Sequence, residues 1–205
     1  MPPTTPSLRD RKRARTRQAI VDAAVELFER DGYDETTVAD IAAAAEIGTR
    51  TFFSYFPTKE ELVFPESDAR VRAAVDAIAT RDQHERPAEV LLRALRLIGE
   101  DSDEMASRLA ALRMRLIQTV PAVRGRALQV QVAAQREIAR HLAAAFPDEL
   151  DEVTAAALTG AFVGAITGAL QVLLEDMDNP TDPAVVQEAV QRATDLALRP
   201  WLRET

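Results

Sequence analysis

The stretch from Thr37 to Leu62, TVADIAAAAEIGTRTFFSYFPTKEEL, predicts two short helices that meet at a tight turn. Thr37 and Asp40 have the spacing of a capping box, in which each side chain bonds the backbone amide of the other residue, so a helix is predicted to begin directly after Thr37. Gly48 can adopt backbone angles that other residues avoid, and it interrupts the helical pattern. A second helix is predicted from about Thr49 to Tyr55. Because a short second helix of this kind can enter the major groove of DNA, the stretch indicates a nucleic-acid-binding element.

The second predicted helix has one apolar and one polar face. Phe52 and Phe56 are four residues apart, so they share a face and are expected to anchor the helix to a core. The outward positions carry hydrogen-bond donors, and Arg50 is the only full charge among them. An ordinary helix pair in a helical enzyme or scaffold is the alternative for each feature taken singly, but their joint spacing favours a DNA-reading head. The outward residues are Thr49, Arg50, Thr51 and Ser54.

These residues resemble a known family, the TetR-type (tetracycline-repressor-like) transcriptional regulators. The family's DNA-binding domain has a pattern close to T-x-x-x-I-A-x-x-A-G-V-S-x-x-T-x-Y-x-Y-F-x-x-K-E-x-L. The sequence departs from it at Glu46, where a turn glycine is usual, at Gly48, where a capping serine is usual, and at Phe53, where a tyrosine is usual. In the family that tyrosine commonly contacts a phosphate, and Phe53 cannot donate such a bond. The matching positions are Thr37, Ile41, Ala42, Ala45, Thr51, Tyr55, Phe56, Lys59, Glu60 and Leu62.

The resemblance implies an all-α protein with two parts. A three-helix helix-turn-helix head is expected at residues 11–58, after a disordered arm at residues 1–10, and a larger helical bundle for ligand binding and dimerisation at residues 59–205. The implied partners are double-stranded DNA with a pseudo-palindromic operator, a small-molecule effector and a second copy of the chain. The residues expected to contact base edges are Thr49 and Arg50. The residues expected to contact phosphates are Arg13, Arg17, Thr37, Thr51, Tyr55 and Lys59.

The net charge of −8 is unfavourable for binding DNA unless positive charge is locally concentrated. Residues 1–20 carry six basic side chains against Asp10 alone, which leaves the rest of the chain strongly acidic. Two interpretations of this basic segment stay open. It is either a solvated end or an arm that lies along the DNA backbone and adds sequence-independent, salt-sensitive affinity.

Composition favours an all-helical protein of a reducing cytoplasm. Aromatic residues make up 5% of the chain and glycine occurs seven times, while cysteine is absent, so no disulfide framework is expected. The N-terminus lacks the apolar segment of a signal peptide. His84 and His141 belong to no metal-binding or catalytic motif, and no nucleophile elbow or phosphate-binding glycine loop occurs. Neither an enzyme site nor a metal or cofactor is therefore expected.

Apolar periodicity predicts further helices along the chain. The first runs from about Arg11 to Asp31, and Gly32 ends it. A fourth begins near Lys59 and reaches about Thr80, but Pro65 should break it because proline lacks an amide donor and clashes with the preceding turn. This break is either a hinge that transmits ligand binding or a simple helix boundary. The remaining helices are predicted at about residues 87–98, 103–119, 122–146, 150–176 and 183–202.

Residues 153–174 form a run without charge that is long enough to cross a membrane. The acidic flanks and interspersed threonines argue against a membrane span, so a soluble helix buried on most sides is expected. Three glycines recur four residues apart, and each costs roughly 1 kcal/mol relative to alanine, which implies that a partner helix or a ligand comes close. In the family that the chain resembles, the last two helices of each subunit form the dimer interface, so the resemblance implies a twofold homodimer through this stretch and the final helix. The predicted interface residues are Gly160, Gly164, Gly168, Val186 and Val190.

Between Glu104 and Glu137 there are six arginines and no acidic residue. These arginines are either solvated or paired with acids of a neighbouring helix, or they meet the polar group of an anionic effector whose apolar part enters a pocket. The layout is similar to ligand domains of the mycofactocin-regulator type, for which acyl-coenzyme A effectors are the family expectation. The residues expected to line such a pocket are Met105, Leu109, Arg113, Met114, Phe146 and Phe162.

The sequence therefore predicts a ligand-responsive transcriptional repressor that a small molecule releases from its operator. The alternative is a helical effector-binding protein or adaptor whose head no longer reads DNA. Glu46, Phe53 and the acidic balance of the chain motivate that alternative.

Overall fold

The computed structural model describes residues 7–65, 67–101, 108–173 and 183–202. Regular structure within these ranges is helical throughout, in agreement with the predicted all-α class. The chain divides into two compact units, Met1–Pro65 and Glu66–Thr205.

The first unit contains α1 (Leu8–Arg30), α2 (Val38–Ala44), α3 (Thr49–Tyr55) and a 3₁₀ helix at Glu60–Val63. Helix α1 begins earlier than predicted because Ser7 and Asp10 form a capping box, in which the Asp10 amide donates to Ser7 Oγ at 3.2 Å. Residues 8–10, which were predicted to be disordered, are therefore helical, whereas residues 1–6 of the predicted arm lie outside the described part of the chain. Gly32 follows α1 with a φ of 93°, which confirms it as the residue that ends this helix.

The core of the first unit supports α3 from below. Phe52 and Phe56 are both 0% exposed, with ring centroids 6.1 Å apart, as their spacing predicts. Ile20 of α1 and Ile41 of α2 are also fully buried. Burying a side chain of this size contributes roughly 1.5–3 kcal/mol to the stability of the fold. Because a helix as short as α3 is not stable through its own hydrogen bonds, its buried apolar face is what fixes its position.

The second unit is a helical bundle whose core draws on five of its helices. Buried leucine, alanine, valine and phenylalanine side chains from α4, α5, α7, α8 and α9 form one cluster, while α6 packs on α7 and contributes to a small second cluster. The helices are α4 (Ser67–Ala79), α5 (Pro87–Asp101), α6 (Arg108–Thr119), α7 (Pro121–Ala145), α8 (Glu152–Leu173) and α9 (Pro183–Leu202).

The predicted break at Pro65 is confirmed. The 3₁₀ helix ends at Val63, and α4 begins at Ser67. Proline cannot continue the backbone ladder of the preceding turn, so two separate elements replace the single helix that would otherwise run on.

Two of the predicted dimer residues lie in the wrong place for that role. Val186 and Val190 are 0% and 1% exposed and belong to the core of their own chain. They cannot contact a second copy without unpacking α9. The opposite side of α9 carries the apolar side chains that remain exposed, among them Val185 and Leu196.

Helix α8 also differs from its prediction. It is long and apolar enough to cross a membrane by length and composition, yet only 22% of its most apolar stretch is buried within the chain. Its inner face supplies Ala155, Leu158 and Phe162 to the core. The expectation of a helix buried on most sides is therefore wrong for a single chain, because the other face is left uncovered.

Arginines cap several helices of the bundle. Arg81 donates to the Ala145 carbonyl at the end of α7 at 2.6 Å, and Arg86 donates to the Leu202 carbonyl at the end of α9 at 3.1 Å. Arg124 donates to the carbonyls of Ile117 and Gln118 at the end of α6. The last carbonyls of a helix lack intrahelical donors and lie at the negative end of its dipole. A guanidinium therefore supplies both the missing hydrogen bonds and a favourable positive charge.

Candidate nucleic-acid interface

The turn between α2 and α3 closes as a Schellman motif. The Ile47 amide donates to the Ala42 carbonyl at 2.9 Å, and the Glu46 amide donates to the Ala43 carbonyl at 3.1 Å. These bonds satisfy carbonyls at the end of α2 that no helical amide reaches. The motif requires a left-handed residue directly after the helix end, and Glu46 takes that position with a φ of 55°.

Glu46, rather than Gly48, is thus the residue with unusual backbone angles. Gly48 has a φ of −80° and a ψ of 153°, so the conformational freedom that its sequence position suggested is not used. A non-glycine residue in the left-handed region costs about 1 kcal/mol, which makes this turn a strained point of the head.

The outer face of α3 is open to solvent. Thr49, Arg50 and Thr51 are exposed, and the Phe53 side chain is 53% exposed. Arg50 forms no hydrogen bond or ion pair with any residue that the structure describes. Its guanidinium donors are therefore available to an incoming acceptor.

Arg17 holds the end of α3 instead of pointing outward. Its guanidinium donates to the Tyr55 carbonyl at 3.1 Å and to the Pro65 carbonyl at 2.9 Å. Its Cζ atom lies 4.1 Å from the centre of the Phe56 ring, within the range of a cation–π interaction. Arg17 thereby joins α1 to the last residue of α3 and to Pro65. This geometry favours a structural role over the predicted phosphate contact.

Lys59 fastens the loop between α1 and α2 to the same segment. Its Nζ donates to the Tyr33 carbonyl at 2.8 Å and to the Thr36 carbonyl at 3.0 Å, and it lies 4.0 Å from the centre of the Tyr33 ring. An ammonium has three donors, and two of them are used here. The structure therefore gives Lys59 a role inside the head, and this geometry favours a structural role over the predicted phosphate contact.

Tyr33 is a partner of Lys59 that the sequence pattern does not predict. Its ring is buried beside Phe28, and its hydroxyl donates to Glu60 Oε1 at 3.1 Å. Burial and the neighbouring Glu60 carboxylate raise the pKa of Tyr33, so the hydroxyl stays a neutral donor. No pattern around Tyr33 distinguishes it from an ordinary loop aromatic, because its partners lie far along the chain.

Thr37 is engaged in the predicted capping box. The Asp40 amide donates to Thr37 Oγ1 at 3.2 Å, the Thr37 amide donates to Asp40 Oδ2 at 2.9 Å, and the Thr37 hydroxyl donates to the same carboxylate at 2.6 Å. Hydrogen bonds from the Thr37 hydroxyl and amide hold the pKa of Asp40 below its usual value. A phosphate contact by the Thr37 hydroxyl would compete with this cap.

Arg13 and Tyr55 form one edge of the outer surface. The Arg13 Cζ atom lies 5.2 Å from the centre of the Tyr55 ring, and Arg13 is exposed. The predicted DNA-contacting residues therefore divide into two groups. One group faces outward, wholly or in part, without a hydrogen bond that ties its side chain to the described residues of the head: Arg13, Thr49, Arg50, Thr51 and Tyr55. The other group already hydrogen-bonds within the head: the half-buried Arg17 and Lys59 and the exposed Thr37.

The residues predicted to line a ligand pocket do not form one cluster. Phe146 and Phe162 belong to the main core of the bundle, whereas Met114 packs in a small cluster with Ala110, Ile117 and Leu170. Leu109 and Arg113 are half-buried, and Met105 lies outside the described residues.

A shallow cleft of about 500 Å³ lies where α4 connects to α5, and it is lined by none of those residues. All of its lining residues are polar or charged, and two of them, Arg93 and Glu85, form an ion pair with N···O at 2.7 Å. Acidic side chains make this cleft a poor match for the predicted anionic effector. Its lining residues are Thr80, Asp82, His84, Glu85, Glu89 and Arg93.

Two family models match the chain. Residues 20–64 match the model described as "Bacterial regulatory proteins, tetR family", which covers the second half of α1, α2, α3 and the 3₁₀ helix. Residues 85–197 match the model described as "MftR C-terminal domain", which spans more than half of the chain.

Individual relatives agree with these models. The chain is 35% identical to the HTH-type transcriptional regulator TcmR of Streptomyces glaucescens over 155 residues, which cover 73% of this chain and 69% of the relative. It is 30% identical to MftR of Mycobacterium tuberculosis over 136 residues, which cover 65% of this chain and 67% of the relative.

Among solved structures, the chain is similar in fold to FadR of Thermus thermophilus, a TetR family transcriptional repressor solved in complex with lauroyl-CoA. That match has a TM-score of 0.55 at 21% sequence identity and covers 92% of this chain and 96% of the other.

Replacing the strained turn residue tests the geometry of the head. Glu46→Gly is expected to raise the free energy of unfolding by about 1 kcal/mol, because glycine adopts a positive φ without steric cost. Glu46→Ala removes the same charge but keeps a Cβ atom, so it should give no comparable gain. Thermal denaturation of the three proteins makes the comparison, and equal stability of the glycine and alanine variants would show that the turn is not strained.

Proposed function

The chain belongs to the tetR family of bacterial regulatory proteins and is a DNA-binding transcriptional regulator, and we propose that it is a cytoplasmic repressor whose paired heads hold an operator until a small-molecule effector releases them. The observation that carries the proposal is the two-sided character of α3. Phe52 and Phe56 anchor its inner side, while Arg50 stands on the outer side without a partner among the described residues. A head that no longer reads DNA is not favoured, because the relatives are transcriptional regulators.

Arg50 and Thr49 are proposed to read base edges in the major groove. A guanidinium can donate two parallel hydrogen bonds to O6 and N7 of guanine, a pairing that no other base offers there. Arg13, Thr51 and Tyr55 lie on the same outer surface, and we propose that they contact phosphates and so fix the register of the head on the duplex. The exposed basic side chains in the first turns of α1 would add affinity without sequence preference.

Removing Arg50 separates base reading from general attraction to DNA. Arg50→Ala is expected to weaken operator binding by about 1–3 kcal/mol and to leave binding to random DNA nearly unchanged. Arg13→Ala removes an exposed arginine from the same surface and should weaken both kinds of DNA alike. Gel-shift titrations on both duplexes compare the variants. Equal losses on operator and random DNA for Arg50→Ala would contradict the assignment.

A second copy of the chain is proposed to cover the open face of α8. A Cβ atom at Gly160, Gly164 or Gly168 would meet nothing within 4 Å, and these glycines lie four residues apart on one face. Val185 and Leu196 continue the uncovered apolar surface on α9. An interface across both helices would bury this surface, and twofold symmetry would present two heads to the two halves of a palindromic site.

A bulky residue on the glycine face tests this interface. Gly164→Leu is expected to stabilise the isolated chain by roughly 0.5–1 kcal/mol through helix propensity while weakening the dimer, because two copies could no longer approach closely. Gly125→Leu is the matched control: Gly125 lies in α7 and also has nothing within 4 Å of its Cβ position. Sedimentation velocity should show a shift towards monomer for Gly164→Leu alone. A dimer that survives Gly164→Leu unchanged would place the interface elsewhere.

The effector is proposed to be anionic and amphipathic, such as an acyl-coenzyme A. The similarly folded FadR was solved in complex with lauroyl-CoA, and this supports the class. The match of residues 85–197 to the "MftR C-terminal domain" model agrees with the resemblance from which the class was first expected. Arg113 and Met114 adjoin one another on α6, so a polar and an apolar contact could come from one turn of helix. Contacts by Leu109, Phe146 and Phe162 remain part of the proposal.

Isothermal titration calorimetry tests the effector class. Lauroyl-CoA is expected to bind at micromolar concentration and to release operator DNA in a gel shift. Coenzyme A without the acyl chain should bind much more weakly, because the apolar chain contributes most of the buried surface. Lack of any binding by lauroyl-CoA at micromolar levels would exclude this effector class and leave the DNA-binding proposal intact.

A further inference from the structure

Phe53 is an exposed aromatic residue on a surface that is otherwise polar. Its side chain is 53% exposed, although its neighbour Phe52 is completely buried. The two rings meet edge to face, with centroids 5.4 Å apart and planes inclined by 86°. The buried ring therefore holds Phe53 in a defined orientation at the surface of α3.

Phe53 shares its helix face with Arg50 and Thr49. It lies three residues after Arg50 and four after Thr49, and side chains at these spacings are neighbours on a helix, with Cβ atoms roughly 5–6 Å apart. A base pair in DNA rises by roughly 3.4 Å. If Arg50 meets a base edge, Phe53 therefore reaches the same base pair or one of its immediate neighbours.

The major groove offers an aromatic ring one kind of apolar partner. Its floor is lined with hydrogen-bond donors and acceptors, and the exception is the methyl group on C5 of thymine. Phe53 has no polar atom with which to bond a phosphate or a base edge. A methyl group at C5 is thus the feature of the groove that this ring can recognise.

We propose that Phe53 is a specificity-determining residue that contacts the C5-methyl group of a pyrimidine beside the base read by Arg50. The occupant is thymine in ordinary DNA, and 5-methylcytosine presents the same chemistry. The inference rests on the proposed operator-binding function and adds to it an apolar readout at a second base position.

The test uses the full chain and an operator obtained by selection from random DNA. Each thymine of one half-site is replaced in turn by deoxyuridine, which removes only the methyl group. For the wild-type protein, one or two positions next to the Arg50 guanine should lose affinity by roughly three- to tenfold, the size expected for one buried methyl group. At such a position, a duplex that carries 5-methylcytosine paired with guanine should bind the protein better than the same duplex with unmethylated cytosine.

Variants at position 53 assign the effect to this ring. Phe53→Ala should bind the thymine and uridine duplexes equally, whereas Phe53→Leu should keep part of the discrimination because it retains apolar surface. Thermal denaturation checks that both variants stay folded, which the exposure of the side chain favours. Discrimination by Phe53→Ala as strong as that of the wild type would overturn the proposal.

The experiment distinguishes failure of the methyl contact by Phe53 from failure of operator binding itself. A selected operator that shows guanine preference but no methyl dependence would overturn the role of Phe53 and leave the repressor function standing. A selection that yields no preferred sequence at all would remove the operator-binding function, and the methyl readout would fall with it.

Discussion

Arg17 and Lys59 hold α3, the helix proposed to read DNA, in position within the head. Helix α3 has seven residues, too few to be stable alone in water, so its position depends on tertiary contacts. Arg17 binds its last turn and the turn at Pro65, while Lys59 binds the two carbonyls of the loop that leads into α2. Together with the buried rings of Phe52 and Phe56, these bonds present Arg50 and Phe53 to solvent on a fixed support.

Local signals in the sequence predicted local structure well. The capping box of Thr37 and Asp40, the end of α1 at Gly32 and the break at Pro65 each depend on residues within a few positions, and each is present. The roles of Arg17 and Lys59 could not be predicted in this way, because their acceptors lie 23 to 48 residues away. A basic residue near a DNA-binding helix looks the same in sequence whether it faces a phosphate or a carbonyl.

Helix α9 and the bundle arginines show the same limit at longer range. Apolar residues occur on two sides of α9, so periodicity alone could not decide whether Val186 or Val185 faces the core. The unusual arginine-rich stretch of α6 and α7 is partly explained by Arg124, which caps α6 rather than awaiting an anion. An arginine whose donors bind the carbonyls at a helix end is less available to a ligand. Fewer arginines of this stretch can therefore contact an anionic effector.

We expect Lys59 to support the head without touching DNA, in contrast to Arg13 on the outer surface. The most direct test is the slope of log affinity against log salt concentration for operator binding by Lys59→Met, which keeps the alkyl chain and removes the ammonium. For Lys59→Met we expect an unchanged slope together with a lower free energy of unfolding, while Arg13→Ala should reduce the steepness of the slope by about 0.9 for each phosphate that the variant no longer neutralises. A comparable reduction for Lys59→Met, with stability unchanged, would contradict it.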